Sequence, residues 1–173
     1  SKLFIIDVAL DKDKDNPQLI FESLNATGLA LSQADLIRNY ILMSRPSEEQ
    51  NEIYNHFWYR MEQGFGQAEY SGLFDRFMRD YLTIKTGNIP NIKEVYLAFK
   101  EYSSHAKSTK ELVSEIYRYS KYYTKIALNK EEDEEINNAL IDINDLKVDV
   151  SYPFILEMYS DYEDNIIKKE DFL

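Results

Sequence analysis

The residues of this sequence whose types and spacing best suit ligand chemistry lie in IFESLNATGLALSQADLIRNYILM, between Ile20 and Met43. The pattern predicts a helix, a turn around a glycine, and a second helix that begins at a serine N-cap and carries an acid in its first turn. Glycine adopts a positive φ easily, and the N–H groups at a helix start favour an anion. We therefore consider a phosphate site here, although an ordinary helix–turn–helix corner has the same pattern. Asn25, Thr27 and Ser32 would supply further donors, and Arg38 lies within the second helix.

A second candidate surface is basic. Arg118, Lys121 and Lys125 fall on one face of a predicted helix, opposite its apolar stripe, and Tyr117 and Tyr122 flank them. Cations that alternate with aromatic rings are typical of surfaces that contact nucleic-acid phosphates and stack on bases. An ordinary solvated helix face is the alternative. The candidate DNA contacts are therefore Arg118, Lys121 and Lys125.

Metal and nucleophile chemistry find little support in the sequence. The chain has no Cys, and its two histidines, His56 and His105, lie on different predicted helices without the spacing of a metal motif. The acidic run Glu131–Glu135 lacks the alternating ligands and the central glycine of a calcium loop, so we expect a solvated helix start there. The sequence therefore predicts no catalytic residue and no metal site.

Composition limits the class of protein. The 173 residues suffice for one well-packed domain, and no apolar run approaches the length of a membrane span. Acids outnumber bases 31 to 20, for a net charge of −11, which argues against a nucleic-acid clamp acting through this chain alone. The absence of Cys and of a signal-like start predicts a cytoplasmic protein without membrane association.

The fold class predicted is mainly α: a multi-helix bundle preceded by a short strand, Leu3–Leu10, that is the remnant of an α/β domain. Ser47 with Gln50 predicts a capping box, and Trp58 and Phe77 are expected core anchors. A domain boundary is expected near residues 44–46, which separates residues 1–45 from a helical connecting domain at 46–173.

The predicted strand lacks neighbours in this sequence. An apolar strand with unpaired N–H and C=O groups is a template for another chain. We expect Leu3–Leu10 either to be disordered or to pair with its copy in a second molecule, which would produce a homodimer, and we favour pairing.

Three stretches, taken in order, resemble one family. IFESLNATGLALSQADLIRNYILM is similar to the F-x-x-L-N-x-x-G-x-x-L-(S/T)-x-x-D-L segment of the GmrSD-type modification-dependent restriction endonucleases. FDRFMRDYLTIKTGNIPNIKEVYLAFKEY, Phe74–Tyr102, resembles the helical region that follows in that family. VDVSYPFILEMYSDYED, Val148–Asp164, resembles the helix that leads to their HNH-like nuclease domain.

The resemblance implies a ParB/sulfiredoxin-like N-terminal domain that binds a nucleotide and an HNH-like C-terminal domain in which a divalent metal assists cleavage of modified DNA. It implies a possible nucleotide-site role for Asn25, Gly28, Ser32, Asp35 and Arg38. The family's Asp-Gly-Gln-Gln-Arg motif and its His/Asn nuclease motif are both absent. We therefore expect the middle of such a protein, without cofactors or catalysis of its own, whose partners are DNA and the remaining domains. The alternative is a non-enzymatic helical module that binds protein or DNA.

Overall fold

Helices make up nearly all of the regular structure in the computed structural model, which describes residues 20, 21, 23, 31–43, 45–66 and 70–173. The prediction of a mainly α fold is confirmed for these residues, which contain no strand. The predicted strand Leu3–Leu10 lies outside them. Pairing through that strand therefore stays a prediction.

The helices follow one another with short connections. Their bounds are α1 Gln33–Leu42, α2 Ser47–Ile53, α3 Tyr59–Phe65, α4 Tyr70–Thr86, α5 Val95–Ser104, α6 Thr109–Ala127, α7 Glu134–Asp145, α8 Tyr152–Glu163 and α9 Lys169–Phe172. A π-helical turn, Tyr54–Trp58, joins α2 to α3. Short 3-10 turns, Ile92–Glu94 and Asp149–Ser151, lead into α5 and α8.

Local sequence signals explain several helix ends. Gly66 follows α3 with a φ of 82°, and Gly87 follows α4 with a φ of 71°, a region that glycine enters without steric cost. The expected capping box at Ser47 is wrong, because Ser47 is the first helical residue and Pro46 is the N-cap without a side-chain bond. Gln50 instead donates from Nε2 to the Arg45 carbonyl at 2.8 Å.

The core is aromatic and centres on α4 and α6. Trp58 and Phe77 are both fully buried, as expected from the sequence. Rings meet mostly at tilted or edge-on angles, for example Phe77 with Tyr123 at 5.3 Å between centroids, an arrangement that suits their quadrupoles. The indole N–H of Trp58 donates to the Tyr70 hydroxyl at 2.8 Å, so this buried polar group has a partner.

Helix α1 belongs to the same core. It packs on α4 and α5, and its Ile37 and Ile41 side chains are buried there. The described end of the expected first segment, residues 1–45, therefore shares its core with the helical segment 46–173. The boundary between the two segments stays a prediction.

Truncation of either core anchor tests the assigned packing. We expect Trp58→Ala and Phe77→Ala each to lower the free energy of unfolding by roughly 3–5 kcal/mol, because each removes buried contacts and leaves a cavity. Denaturant unfolding measures this change. Phe154→Ala is the matched control, since the Phe154 ring is 68% exposed and should contribute far less. Equal losses in the core variants and the control would contradict the assigned core.

One carboxylate lies inside this core. Asp80, on α4, is 1% exposed. Its Oδ1 accepts a hydrogen bond from Arg79 Nε at 3.1 Å, and its Oδ2 accepts one from the Tyr123 hydroxyl at 3.3 Å. Burial raises the pKa of Asp80 to about 6 even though Arg79 and Tyr123 favour the charged form.

This raised pKa predicts a pH dependence of stability. The folded state holds the Asp80 proton more tightly than the unfolded chain, whose ordinary pKa is 3.8, so stability falls as pH rises from that value through about 6. We expect Asp80→Asn to remove about 2–3 kcal/mol of this fall. Denaturant unfolding of both proteins at about pH 4 and about pH 8 measures the difference. Asp142→Asn, at an exposed position of α7, should keep the wild-type slope. A gap between wild type and Asp80→Asn that is the same at both pH values would contradict the assignment.

Candidate functional site

The start of α1 is the described part of the predicted phosphate site. Asp35 N–H donates to Ser32 Oγ at 3.1 Å, and the Ser32 hydroxyl donates to Asp35 Oδ2 at 2.7 Å. The predictions of Ser32 as the N-cap and of Asp35 in the first turn are therefore confirmed. Two of the five candidate residues, Asn25 and Gly28, lie outside the described residues.

A carboxylate of the chain itself occupies the anion position at this helix start. Asp75, from α4, accepts hydrogen bonds from the backbone N–H groups of Ala34 at 2.8 Å and of Gln33 at 3.3 Å. Burial raises the pKa of Asp75, the two N–H bonds oppose the rise, and the neighbouring Asp35 adds to it. The helix start thus has a stabilising negative charge in place without any ligand.

The same helix in turn caps another one. Gln33 Oε1 accepts a hydrogen bond from the backbone N–H of Tyr96, in the first turn of α5, at 2.8 Å. We call this series, Asp75 on α4, Gln33 on α1 and Tyr96 on α5, the capping relay. It fixes the position of α1 against two other helices through backbone groups that would otherwise lack partners inside their own helices.

Arg38 ties α1 to a third helix. Its guanidinium lies 3.0 Å from Asp35 Oδ1 and 3.0 Å from Glu62 Oε1, and the Tyr54 hydroxyl donates to Glu62 Oε2 at 3.2 Å. Partial burial lowers the pKa of Arg38, but the hydrogen bond to Glu62 and the charge of Asp35 outweigh it, so the pKa is raised overall. Arg38 is therefore a structural cation in an internal ion-pair network.

The described side of the site is acidic. Asp35 and Glu62 pair with Arg38, and Asp75 binds the N–H groups of the same helix start, so three carboxylates accompany one guanidinium group in this cluster. A phosphate at this helix start would have to replace Asp75 or draw Arg38 away from its carboxylates. The described residues therefore do not by themselves suit a nucleotide phosphate. The nucleotide role of the predicted site stays a prediction.

Two of the residues that complete this cluster were missed by the sequence analysis. Glu62 lies on α3 and Asp75 lies on α4, far along the chain from the motif. Neither has a local spacing that connects it with Ser32 or Arg38, since only the packing of α3 and α4 against α1 brings them there. A single sequence carries no signal for such a contact.

The predicted basic face is largely neutralised by acids of its neighbours. Arg118 Nη1 lies 3.1 Å from Asp164 Oδ2. Lys125 Nζ lies 3.2 Å from Glu131 Oε2 and 3.4 Å from Glu163 Oε1. Helix α6 packs on α8 along this edge, which explains why acids from the end of α8 reach these cations.

Lys121 completes that face and differs from its two companions. Its ammonium lies 5.2 Å from the centre of the Tyr117 ring, a cation–π contact, and the residue is exposed. The face thus presents one of its three cations without a carboxylate partner among the described residues. Its role in DNA binding stays a prediction.

The acidic run has a different structure from the one expected. Helix α7 begins at Glu134 after the N-cap Asp133, so the second half of the run is a helix start as predicted. Glu131 is not solvated, however, because its side chain is 6% exposed and accepts hydrogen bonds from Lys125 and the Tyr159 hydroxyl. The expectation of a solvated run is therefore wrong for Glu131, whose charge is paired inside the bundle.

The described part of the chain contains neither a group of side chains suited to a metal ion nor a membrane-spanning helix. His56 and His105 are both exposed, and no group of three or more His, Asp or Glu side chains there could hold a metal ion. None of the helices in that part is both long enough and apolar enough to span a bilayer.

Comparisons with protein-family models, with curated proteins and with solved structures give no match for this chain. The fold and the geometry of the cluster around Arg38 are therefore the basis for any functional argument, together with the resemblance of the three sequence stretches.

The cap that Asp75 provides can be tested directly. We expect Asp75→Ala to lower the free energy of unfolding by about 1–2 kcal/mol, because two helix N–H groups lose their acceptor. Hydrogen exchange should quicken at the amides of Gln33 and Ala34. Asp75→Asn keeps one oxygen acceptor and should lose less. Asp142→Ala, on the exposed face of α7, is the control. Unchanged protection of both amides in Asp75→Ala would contradict the cap.

Proposed function

We propose that this chain is the motif-bearing end of a nucleotide-binding domain, together with the helical connecting domain, of a GmrSD-like DNA restriction endonuclease that acts on modified DNA. In this proposal the chain has no catalytic role of its own. It connects a nucleotide-binding part to a nuclease part of a longer protein. Through this connection, nucleotide binding in the first part stimulates the second.

The observation that carries the proposal is the rigid attachment of the motif helix to the bundle. Helix α1 carries Ser32, Asp35 and Arg38 of the family-like motif. The capping relay attaches its first turn to α4 and α5, and the ion pair between Arg38 and Glu62 attaches its middle to α3. A shift of the motif helix would therefore have to move three helices of the bundle, which is what a coupling element requires.

The described residues limit how a nucleotide can take part. Their backbone donors at the start of α1 are already used by Asp75 and Ser32, so any phosphate contact belongs to residues outside the described part or to the rest of the parent. The resemblance implies a nucleoside triphosphate and a divalent metal for that parent. The chemistry these would supply is phosphodiester hydrolysis, and we derive no step of it from this chain.

We expect the purified chain to show neither DNA cleavage nor nucleotide hydrolysis with any divalent metal. The complete protein should cleave modified DNA only when a nucleotide and a divalent metal are present. In the complete protein, Asp75→Ala should lower the stimulation by nucleotide by roughly fivefold or more, since it frees the first turn of α1 from α4. Asp142→Ala in the complete protein is the control. Nuclease assays on modified and unmodified DNA measure both effects.

The complete reading frame separates this proposal from the alternative. An upstream Asp-Gly-Gln-Gln-Arg motif together with a downstream His/Asn nuclease motif would support a restriction enzyme. The absence of both motifs would overturn it and favour a non-enzymatic helical module that binds protein or DNA. Cleavage by the 173-residue chain alone would also overturn it.

A further inference from the structure

Arg76 and Lys147 belong to the cations that have no carboxylate partner among the described residues, as does Lys121. Both side chains are exposed, and neither makes an ion pair or a side-chain hydrogen bond within the described part of the chain. Arg38, Arg118 and Lys125, in contrast, each have one or two carboxylate partners. Arg76 and Lys147 are distinguished because they line the same pocket.

Arg76 and Lys147 line one pocket. It has a volume of about 260 Å³ and lies where the end of α7 and the 3-10 turn before α8 meet α4. Its other walls come from Asn144, Val148, Asp149 and Tyr152. This volume suits a small charged group rather than a large organic ligand, for which pockets are typically larger.

The wall behind the two cations is held by hydrogen bonds. Asn144 donates from Nδ2 to the Ile126 carbonyl at 2.8 Å and to Asn129 Oδ1 at 2.6 Å, and its Oδ1 accepts from the Tyr152 hydroxyl. The amide of Asn144 thereby joins α7 to the end of α6 and to the start of α8. The side chains of Asn144 and Tyr152 are therefore held in place before any ligand arrives.

The backbone at Lys147 is unusual for its residue type. Lys147 N–H donates to the Asn144 carbonyl and Val148 N–H donates to the Ile143 carbonyl, which together form a Schellman motif at the end of α7. Lys147 occupies its left-handed position with a φ of 55°, where glycine or asparagine is usual. The two other non-glycine residues described with positive φ are both asparagines, Asn129 and Asn165.

The charges at the pocket identify the kind of anion it would bind. Arg76 and Lys147 face one carboxylate in the lining, Asp149, while Asp80 behind the pocket is paired with Arg79. One positive charge is left over. A singly charged phosphodiester matches this excess better than a multiply charged phosphate. The fork of an arginine and the point charge of a lysine are the usual cationic partners of phosphate oxygens.

We propose that Arg76 and Lys147 form a contact site for a phosphodiester group of a nucleic-acid backbone. The choice of nucleic acid as the source of the phosphodiester rests on the proposed function, whereas the site itself rests on the two unpaired cations and their pocket. Phosphate contact on this molecule then lies at the junction of α4 and α7, and not on the face formed by Arg118, Lys121 and Lys125.

DNA binding by the 173-residue chain at low salt tests this site, with fluorescence anisotropy of a labelled short duplex as the measurement. The double variant Arg76→Gln/Lys147→Gln should weaken binding about tenfold or more, because two charged contacts are lost. The slope of log K against log salt should shrink by about two units. Since neither side chain makes an ion pair or a hydrogen bond with the residues that the structure describes, the melting temperature should not change.

The matched control is Arg60→Gln/Lys93→Gln. It removes the same number of charges from exposed positions outside the pocket, so it should bind DNA like the wild type. Equal loss in the control would overturn the site, since the effect would then come from net charge. A loss confined to Arg118→Ala/Lys121→Ala/Lys125→Ala would also overturn it and assign the contact to the basic face. Absence of any DNA binding by the wild type at low salt would overturn it as well.

A further measurement distinguishes the possible sources of the phosphodiester. Phosphatidylcholine vesicles carry phosphodiester headgroups and should not bind the chain, and inorganic phosphate should compete only weakly with DNA. Vesicle binding that depends on Arg76 and Lys147, without DNA binding, would overturn the nucleic-acid assignment. These assays need no nuclease activity, so failure of the restriction-enzyme proposal and failure of this site give different results.

Discussion

The position of α1 depends on one half-buried carboxylate, Asp75. The first N–H groups of a helix have no partner within it, and at α1 Asp75 accepts from two of them. The same turn then provides Gln33 as the acceptor for the first turn of α5. Asp75 on α4 thus binds the start of α1, and Gln33 on α1 binds the start of α5. A helix start is the place where backbone N–H groups lack partners within the helix. The negative charge of Asp75 also suits the positive end of the α1 dipole, so the contact is favourable in two ways.

Electrostatics in this protein mainly hold the helices together. The chain has an excess of acids, and its cations are drawn to them: Arg38 to Glu62, Arg118 to Asp164, and Lys125 to Glu131. The first two pairs join segments far apart in sequence, and most of these side chains are partly shielded from water. Exposed pairs contribute little to stability individually, but a paired cation is less available to a ligand. Arg76 and Lys147 have no such pair among the described residues and line one pocket together.

The sequence predicted the helical class, the core anchors and several helix ends because these depend on local physics. Apolar residues at helical spacing placed Trp58 and Phe77 in the core, and the bundle buries both. Ser32 was predicted as a cap because its hydroxyl reaches a donor three residues away. The capping box predicted at Ser47 was wrong because the helix begins one residue earlier than expected. Pro46 takes the N-cap position, and Ser47 is the first helical residue. The nucleotide role of the motif, the family and the strand Leu3–Leu10 stay predictions.

The sequence by itself determined which residues can form helices, where those helices can start and stop, and which faces must be buried, since each of these follows from neighbours a few positions apart. Only the tertiary structure decided what the charged side chains do. Arg118 and Lys125 formed a basic face in sequence, but the packing of α6 on α8 brings carboxylates to them. The anion that the start of α1 attracts comes from Asp75, forty-one residues beyond Ala34. Coulomb attraction depends on distance in space, and spacing along one helix says nothing about the charge that a second helix brings to it.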